Sequence, residues 1–219
     1  MSFDRLAPYY RWMELILAGG KLHRCRTAFL GQIPTPKNIL LLGEGHGRSL
    51  VEFRRRFTNA QITCVDASAG MLTESRQHLI RKNLEAGGVE FIHADVLNWA
   101  PPPSRYDLVV TNFFLDCFRP DQLKSIISKV AASTTQDASW LLADFQIPDV
   151  RLRRIRSRLI LWLLYRFFRA TTRLPASKLT RPDSFLEKAG FTLRRRIESE
   201  WGLLHSDWWR RENSPTLSE

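Results

Sequence analysis

Three glycines at alternate positions, Gly43, Gly45 and Gly47, follow the apolar run Ile39-Leu-Leu-Leu42 and precede a helical pattern. A buried strand that turns sharply into a helix presents a bare main chain at the strand's carboxyl end, so such a turn can cradle a ligand. A nicotinamide-binding turn requires a further glycine three residues after Gly45. Arg48 stands there, which disfavours a pyrophosphate. Two acids follow in order: Asp66 closes the run Gln61-Ile-Thr-Cys-Val65, and Asp95 follows the run 89–93. A carboxylate at a strand end accepts two hydroxyl protons in a bidentate, charge-assisted way.

The elements that must position these residues alternate along the chain. Residues 1–30 carry a helical pattern (Phe3, Leu6, Tyr10, Met13, Leu17) broken at Gly19-Gly20, which predicts an N-terminal helical lid. The core, 38–145, reads as strand 38–42, helix 47–57, strand 61–65, helix 68–86 ended by Gly87-Gly88, strands 89–93 and 106–111, helix 121–132 and strand 139–145. A basic helical insertion over 150–190 follows, its last helix running over about 182–189 to Gly190, and closing strands are expected at 191–199 and around 203–208. Strands alternating with helices at this spacing predict a parallel sheet covered on both faces, here within a single domain.

Composition narrows the class. The chain has 219 residues, 44% apolar and 25% charged, which excludes disordered and collagen-like chains and allows a substantial core. Cys25, Cys64 and Cys117 are too few and too scattered for a disulfide framework or a zinc site, so no metal is expected and the thiols read as reduced. Acids, arginines and a proline precede any apolar run, which argues against a secretory signal and for a cytoplasmic protein. The longest apolar run, 159–165, is far short of the roughly 20 residues a membrane span requires. The net charge of +11 is local, because residues 151–173 hold eight arginines and no acid.

The glycine turn, Asp66, His93-Ala-Asp95-Val96 and Tyr106-Asp-Leu-Val-Val-Thr-Asn112 together resemble, in order and spacing, the class I S-adenosylmethionine-dependent methyltransferases. The resemblance covers about 38–145. It implies a Rossmann-like, doubly wound α/β fold with a mostly parallel seven-stranded sheet, its last strand antiparallel, and S-adenosyl-L-methionine as cofactor. It further implies that Asp66 takes both ribose hydroxyls, that Asp95 reaches the adenine amino group, and that Met71 packs near the adenine ring. Ala67, Val96, Asn112 and Phe113 would complete the cofactor's surroundings with Gly43, Gly45 and Gly47. Many family members have an acid two residues before the first glycine, where this chain has Leu41; Glu44, inside the turn, is expected to supply that carboxylate near the methionine ammonium.

Methyl transfer from a sulfonium is a displacement in which alignment can supply much of the catalysis, and a base is needed only for an acceptor that must lose a proton. Asp116 is the first candidate for that base or for a substrate ligand, followed by Asp144, with His205 and Tyr10 on segments that could form a lid. The run Asn112-Phe113-Phe114 lacks the prolines of amino-directed nucleic-acid methyltransferases, and Cys117 has no preceding proline. With Leu115 and Phe118, the acceptor side reads as aromatic and apolar, favouring a hydrophobic small molecule of lipid, quinone or polyketide type. The N-terminal run 3–10 resembles the lid segment of small-molecule methyltransferases. Helical residues 151–173 would carry separate apolar and arginine stripes, leaving three destinations: a cap on the domain, peripheral contact with an anionic membrane, or an RNA docking surface. RNA methylation and a non-catalytic cofactor-binding partner protein are the alternative functions.

Overall fold

The computed structural model describes residues 20–84, 86–148 and 179–212. The lid residues 1–19 with Tyr10, and the arginine-rich residues 151–173, lie outside the described residues. The elements in chain order are α1 (Gly20–Thr27), β1 (Asn38–Leu42), α2 (Arg48–Arg56), β2 (Gln61–Asp66), α3 (Ala69–Arg81), β3 (Val89–His93), β4 (Tyr106–Asn112), α4 (Pro120–Ala132), β5 (Thr134–Phe145), α5 (Asp183–Lys188), β6 (Phe191–Ser199) and β7 (Leu204–Arg211). Short 3-10 turns at Leu115–Cys117 and Glu200–Gly202 join β4 to α4 and β6 to β7.

The seven strands form one sheet in the order β3-β2-β1-β4-β5-β7-β6. Strands β1 to β5 pair in parallel, and β7 runs antiparallel to both β5 and β6. This is the Rossmann-like sheet with an antiparallel last strand that the resemblance implies. The chain moves outward from β1 in one direction through β2 and β3 and in the other through β4. The glycine turn therefore sits at the point of reversal, where open α/β sheets bind ligands.

Both faces are covered, which explains why β1 is apolar at every position after Asn38 instead of alternating. Leu40 and Leu42 join Val109, Trp140 and Leu142 in a core under α4 and α5, while Ile39 and Leu41 join Leu50, Phe53 and Leu79 in a core under α2 and α3. Trp140 is fully buried, its ring edge-on to Phe191 at 5.5 Å and its indole N–H donating to Thr111 Oγ1 at 2.9 Å. A third cluster of Leu22, Cys25, Phe113, Ala143 and Leu204 seats α1 on the sheet.

Two boundaries depart from the sequence expectation. Helix α3 ends at Arg81, short of Gly87-Gly88, because Asn83 takes a left-handed conformation (φ 54°) and Leu84 N–H reaches back to the Leu79 carbonyl (3.1 Å). That is a Schellman-type stop with asparagine in the usual glycine place, and Leu84 packs on the core containing Leu79. Strand β5 begins at Thr134, well before Ser139; of the polar start Thr-Thr-Gln-Asp, Thr134 is buried and pairs with Tyr106 while Gln136 and Asp137 are exposed, and the run reads as loop by composition.

Candidate active site

Each glycine of the turn has a different physical role. All three have positive φ (65°, 64° and 76°), conformations that side chains with a Cβ adopt only under strain. A Cβ on Gly43 would overlap the Phe114 ring, and one on Gly47 would approach Ser75 Cα within 2.7 Å. A Cβ on Gly45 would meet nothing within 4 Å. Gly43 and Gly47 thus close the turn against the protein, while Gly45 presents bare main chain to open space. Ser75 of α3 fixes this shape by donating its hydroxyl to the Gly45 carbonyl at 2.7 Å.

Asp66 stands beside the turn at the end of β2. Its two oxygens accept Gly45 N–H (3.2 Å) and Ser68 N–H (2.9 Å), so the side chain is held in place while lone pairs remain for further donors. Burial raises its pKa, against the lowering effect of those two N–H groups and of His93 and His46. Ala67 follows, its carbonyl 3.1 Å from His93 Nε2. Met71 is buried, with its N–H on the Ser68 hydroxyl, the N-cap of α3.

Glu44 turns toward the start of α2. Gly47, at the N-cap, has no side chain to offer, and the Glu44 carboxylate instead accepts Leu50 N–H at 2.9 Å and both the N–H and hydroxyl of Ser49. Burial pushes its pKa up to about 7, against the hydrogen bonds and the positive charge of Arg26. Arg26, on α1, is itself 9% exposed, and its guanidinium lies 5.1 Å from the Phe113 ring centroid. At the end of β4, Asn112 donates to Ser49 Oγ at 3.0 Å. Phe113 has positive φ (54°) and packs on Phe145 at 5.2 Å.

Beyond β3, Asp95 is exposed and organises a turn: Oδ1 accepts Leu97 N–H (2.9 Å), and its carbonyl takes the N–H groups of Asn98 and Trp99. Val96 is buried in the core below.

The three candidate proton-handling residues converge. Asp116 N–H donates to Asp144 Oδ2 at 3.2 Å, which sets the two carboxyl groups side by side. Burial raises Asp116 to about 6, and burial together with the Asp116 charge raises Asp144 well above the usual carboxylate range. Two carboxyls so close cannot both ionise cheaply, so the proximity of the pair favours the protonated form of one of them. His205 faces Asp144 directly across the β5–β7 pairing. It is 3% exposed, and its Nδ1 lies 3.1 Å from Asp207 Oδ1, off the line that a hydrogen bond requires. Asp207 is fully buried; burial alone would raise its pKa, but bonds from Arg196 Nε (2.7 Å) and Nη2 (2.6 Å), together with the adjoining His205 imidazole, bring it below the usual value.

The glycine turn, Asp66, Glu44, Asn112 and Phe113 therefore surround the carboxyl ends of β1, β2 and β4, with the acid pair beyond β4 and β5. Sequence reasoning missed Arg26, Ser49 and Ser75. None stands in a recognisable motif, and each acts through a contact between elements far apart in sequence.

Comparison with known proteins agrees with this geometry. Residues 39–137 match the methyltransferase domain family. Trans-aconitate 2-methyltransferase of Rhodopseudomonas palustris (strain HaA2) is 34% identical over 122 residues, 55% of this chain and 43% of that protein. Its namesake from Acidovorax sp. (strain JS42) is 35% identical over 79 residues, 36% of this chain and 28% of that one. The chain thus spans less than half the length of these curated relatives. Among solved structures, the mitomycin 7-O-methyltransferase MmcR superposes with a TM-score of 0.69 at 18% identity, covering 96% of this chain and 61% of that one. The Burkholderia thailandensis 1,6-didemethyltoxoflavin-N1-methyltransferase, with S-adenosylhomocysteine bound, gives 0.66 at 18% identity over 96% and 86%. The turn that begins this matched region, the acid that ends its second strand and the reversal of strand order between them have one common explanation: residues 39–137 are a methyltransferase domain of the class I, S-adenosylmethionine-dependent kind.

Proposed function

We propose that the chain transfers a methyl group from S-adenosylmethionine to an apolar small molecule. The observation that carries the acceptor class is the apolar, aromatic character of the tips of β4 and β5, where Phe113 packs on the half-buried Phe145 at 5.2 Å above the cluster of Leu22, Cys25 and Leu204. The residues present suit the cofactor: Gly45 leaves its side of the turn open, and Asp66 is a prearranged, half-buried acceptor that two ribose hydroxyls would re-solvate. The bound cofactor supplies a methyl group activated by the sulfonium. The protein's own part is orientation, with Asp66 fixing the ribose, Asp95 and Met71 the adenine, and Glu44 the methionine amino group while it caps α2.

Where the acceptor must lose a proton, Asp116 takes it, with Asp144 behind it favouring the protonated form. Asp116 is half-buried and Asp144 is 2% exposed, so Asp116 is the member that substrate can reach. The base form of Asp116 forms as pH rises through about 6. With such an acceptor kcat/KM should climb through that region, and Asp116→Asn should flatten the climb and lower the rate by about 10²-fold or more.

A second reading has its own support. Arg26 brings a cation to the Phe113 ring, and the curated relatives are named for a tricarboxylate acceptor, so an acidic small molecule seated on Arg26 is the competing substrate class. Methyl release from radiolabelled S-adenosylmethionine into phenolic and polyketide acceptors, set against trans-aconitate, decides between them. Turnover confined to the apolar panel supports the proposal, and turnover confined to the tricarboxylate overturns it.

A further inference from the structure

The turn that follows β3 is fastened by a lysine from another layer of the fold. Lys129, near the end of α4, donates from Nζ to the carbonyls of Val96 (2.9 Å), Leu97 (2.7 Å) and Trp99 (3.4 Å). An ammonium has three protons, and all three point into one turn. The N–H groups of the same turn are taken by Asp95: Leu97 N–H by its carboxylate, and those of Asn98 and Trp99 by its carbonyl. Asp95 therefore gathers the donors of the turn and Lys129 its acceptors. Removing the ammonium would orphan carbonyls against the core that contains Val96, Val130 and Ile126.

Lys129 is half-buried, and no carboxylate is recorded against it among the described residues. A lysine that serves only solubility would leave its head in water. This one is committed to backbone oxygens, the arrangement that stabilises a cation at the carbonyl end of a helical turn. Its effect is to fix the one segment on which Asp95, an otherwise exposed side chain, depends for its direction.

We propose that Lys129 is a positioning residue for purine selectivity: by clamping the 95–99 turn it holds the free oxygen of Asp95 where a ligand's exocyclic amino group can donate to it. The proposal rests on the reading that Asp95 meets the adenine. A purine with an amino group at that position is then selected over one with a carbonyl, because the carbonyl would face a carboxylate with no proton between them.

The test is calorimetric titration of S-adenosylhomocysteine and its deaminated analogue, S-inosylhomocysteine, into the wild type, Lys129→Met, Asp95→Ala and the double variant. The wild type should favour the adenosyl compound by about tenfold or more, the value of one charge-assisted hydrogen bond. Lys129→Met should reduce that ratio to within about twofold of the Asp95→Ala value, and the double variant should be no worse than Asp95→Ala, since the two act as one unit. Lys129→Gln, which keeps the stem and one donor, carries the test if the methionine variant does not fold. A merely structural lysine would lower stability and leave the ratio at the wild-type value, which overturns the proposal, as does additive loss in the double variant. A wild type that binds S-adenosylhomocysteine without preferring it would refute the clamp's purpose alone. A folded wild type that binds neither compound would refute the cofactor reading beneath it.

Discussion

At the residue scale, the glycines of the turn differ in what surrounds them, so substitutions there can tell a folding effect from the proposed binding effect. Gly43→Ala combines a strained φ with overlap of the Phe114 ring, so it should lower unfolding free energy by about 2–4 kcal/mol in a denaturant titration. Gly45→Ala has the same φ strain but open space around it. It should cost only about 1–2 kcal/mol of stability while removing most of the affinity for S-adenosylhomocysteine. Equal stability losses in the two variants would remove the distinction. Glu44 gives a pH signature. Its folded-state pKa, pushed up to about 7 by burial, means that the wild type loses stability as pH rises from about 4.5 through 7. Glu44→Gln should therefore match the wild type near pH 4.5 and exceed it at pH 8 in chemical melts of the ligand-free protein, and a constant difference across that range would contradict the burial argument.

At the element scale, the antiparallel end of the sheet is held by a charge. Arg196 of β6 binds Asp207 of β7 with two nitrogens and reaches Asp183 at the start of α5 at 2.8 Å. Arg196→Met would leave Asp207 charged, buried and without its main partner, so it should cost about 3–5 kcal/mol, read as a lower denaturant midpoint. A loss below about 1 kcal/mol would mean that β6 and α5 are seated by apolar contacts alone. This network was invisible in the sequence, where Arg196 is one of three consecutive arginines and Asp207 one acid before two tryptophans. The strands and helices of the core were legible because apolar runs bounded by glycine and polar turns reflect burial directly. The stop of α3 was not, since Asn83 does the work of a glycine, and neither was the polar start of β5, whose pairing depends on a partner strand and not on its own composition.

At the scale of the whole molecule, the order of strands accounts for the position of the site. Reversal of direction on either side of β1 opens a crevice at its carboxyl end, and the glycine turn, Asp66 and the tip of β4 meet there because parallel strands all finish on one edge. Candidates for the cofactor side could be named from the sequence because the family's motifs lie in short, ordered stretches. The acceptor side was less so, since alignment catalysis demands no fixed residue type and the contacts of Arg26 with Phe113 and of Asp116 with Asp144 join residues distant in the chain. The domain's affinity for its cofactor is accordingly the property on which the rest depends. The deciding measurement is calorimetric titration of S-adenosylhomocysteine into the wild type and Asp66→Ala, with NADH as the control ligand. Binding at roughly micromolar strength by the wild type (about 8 kcal/mol), lost in the variant and absent for NADH, is the expected result. A folded wild type that ignores S-adenosylhomocysteine, or a variant that binds it equally well, would contradict the assignment of the turn and of Asp66.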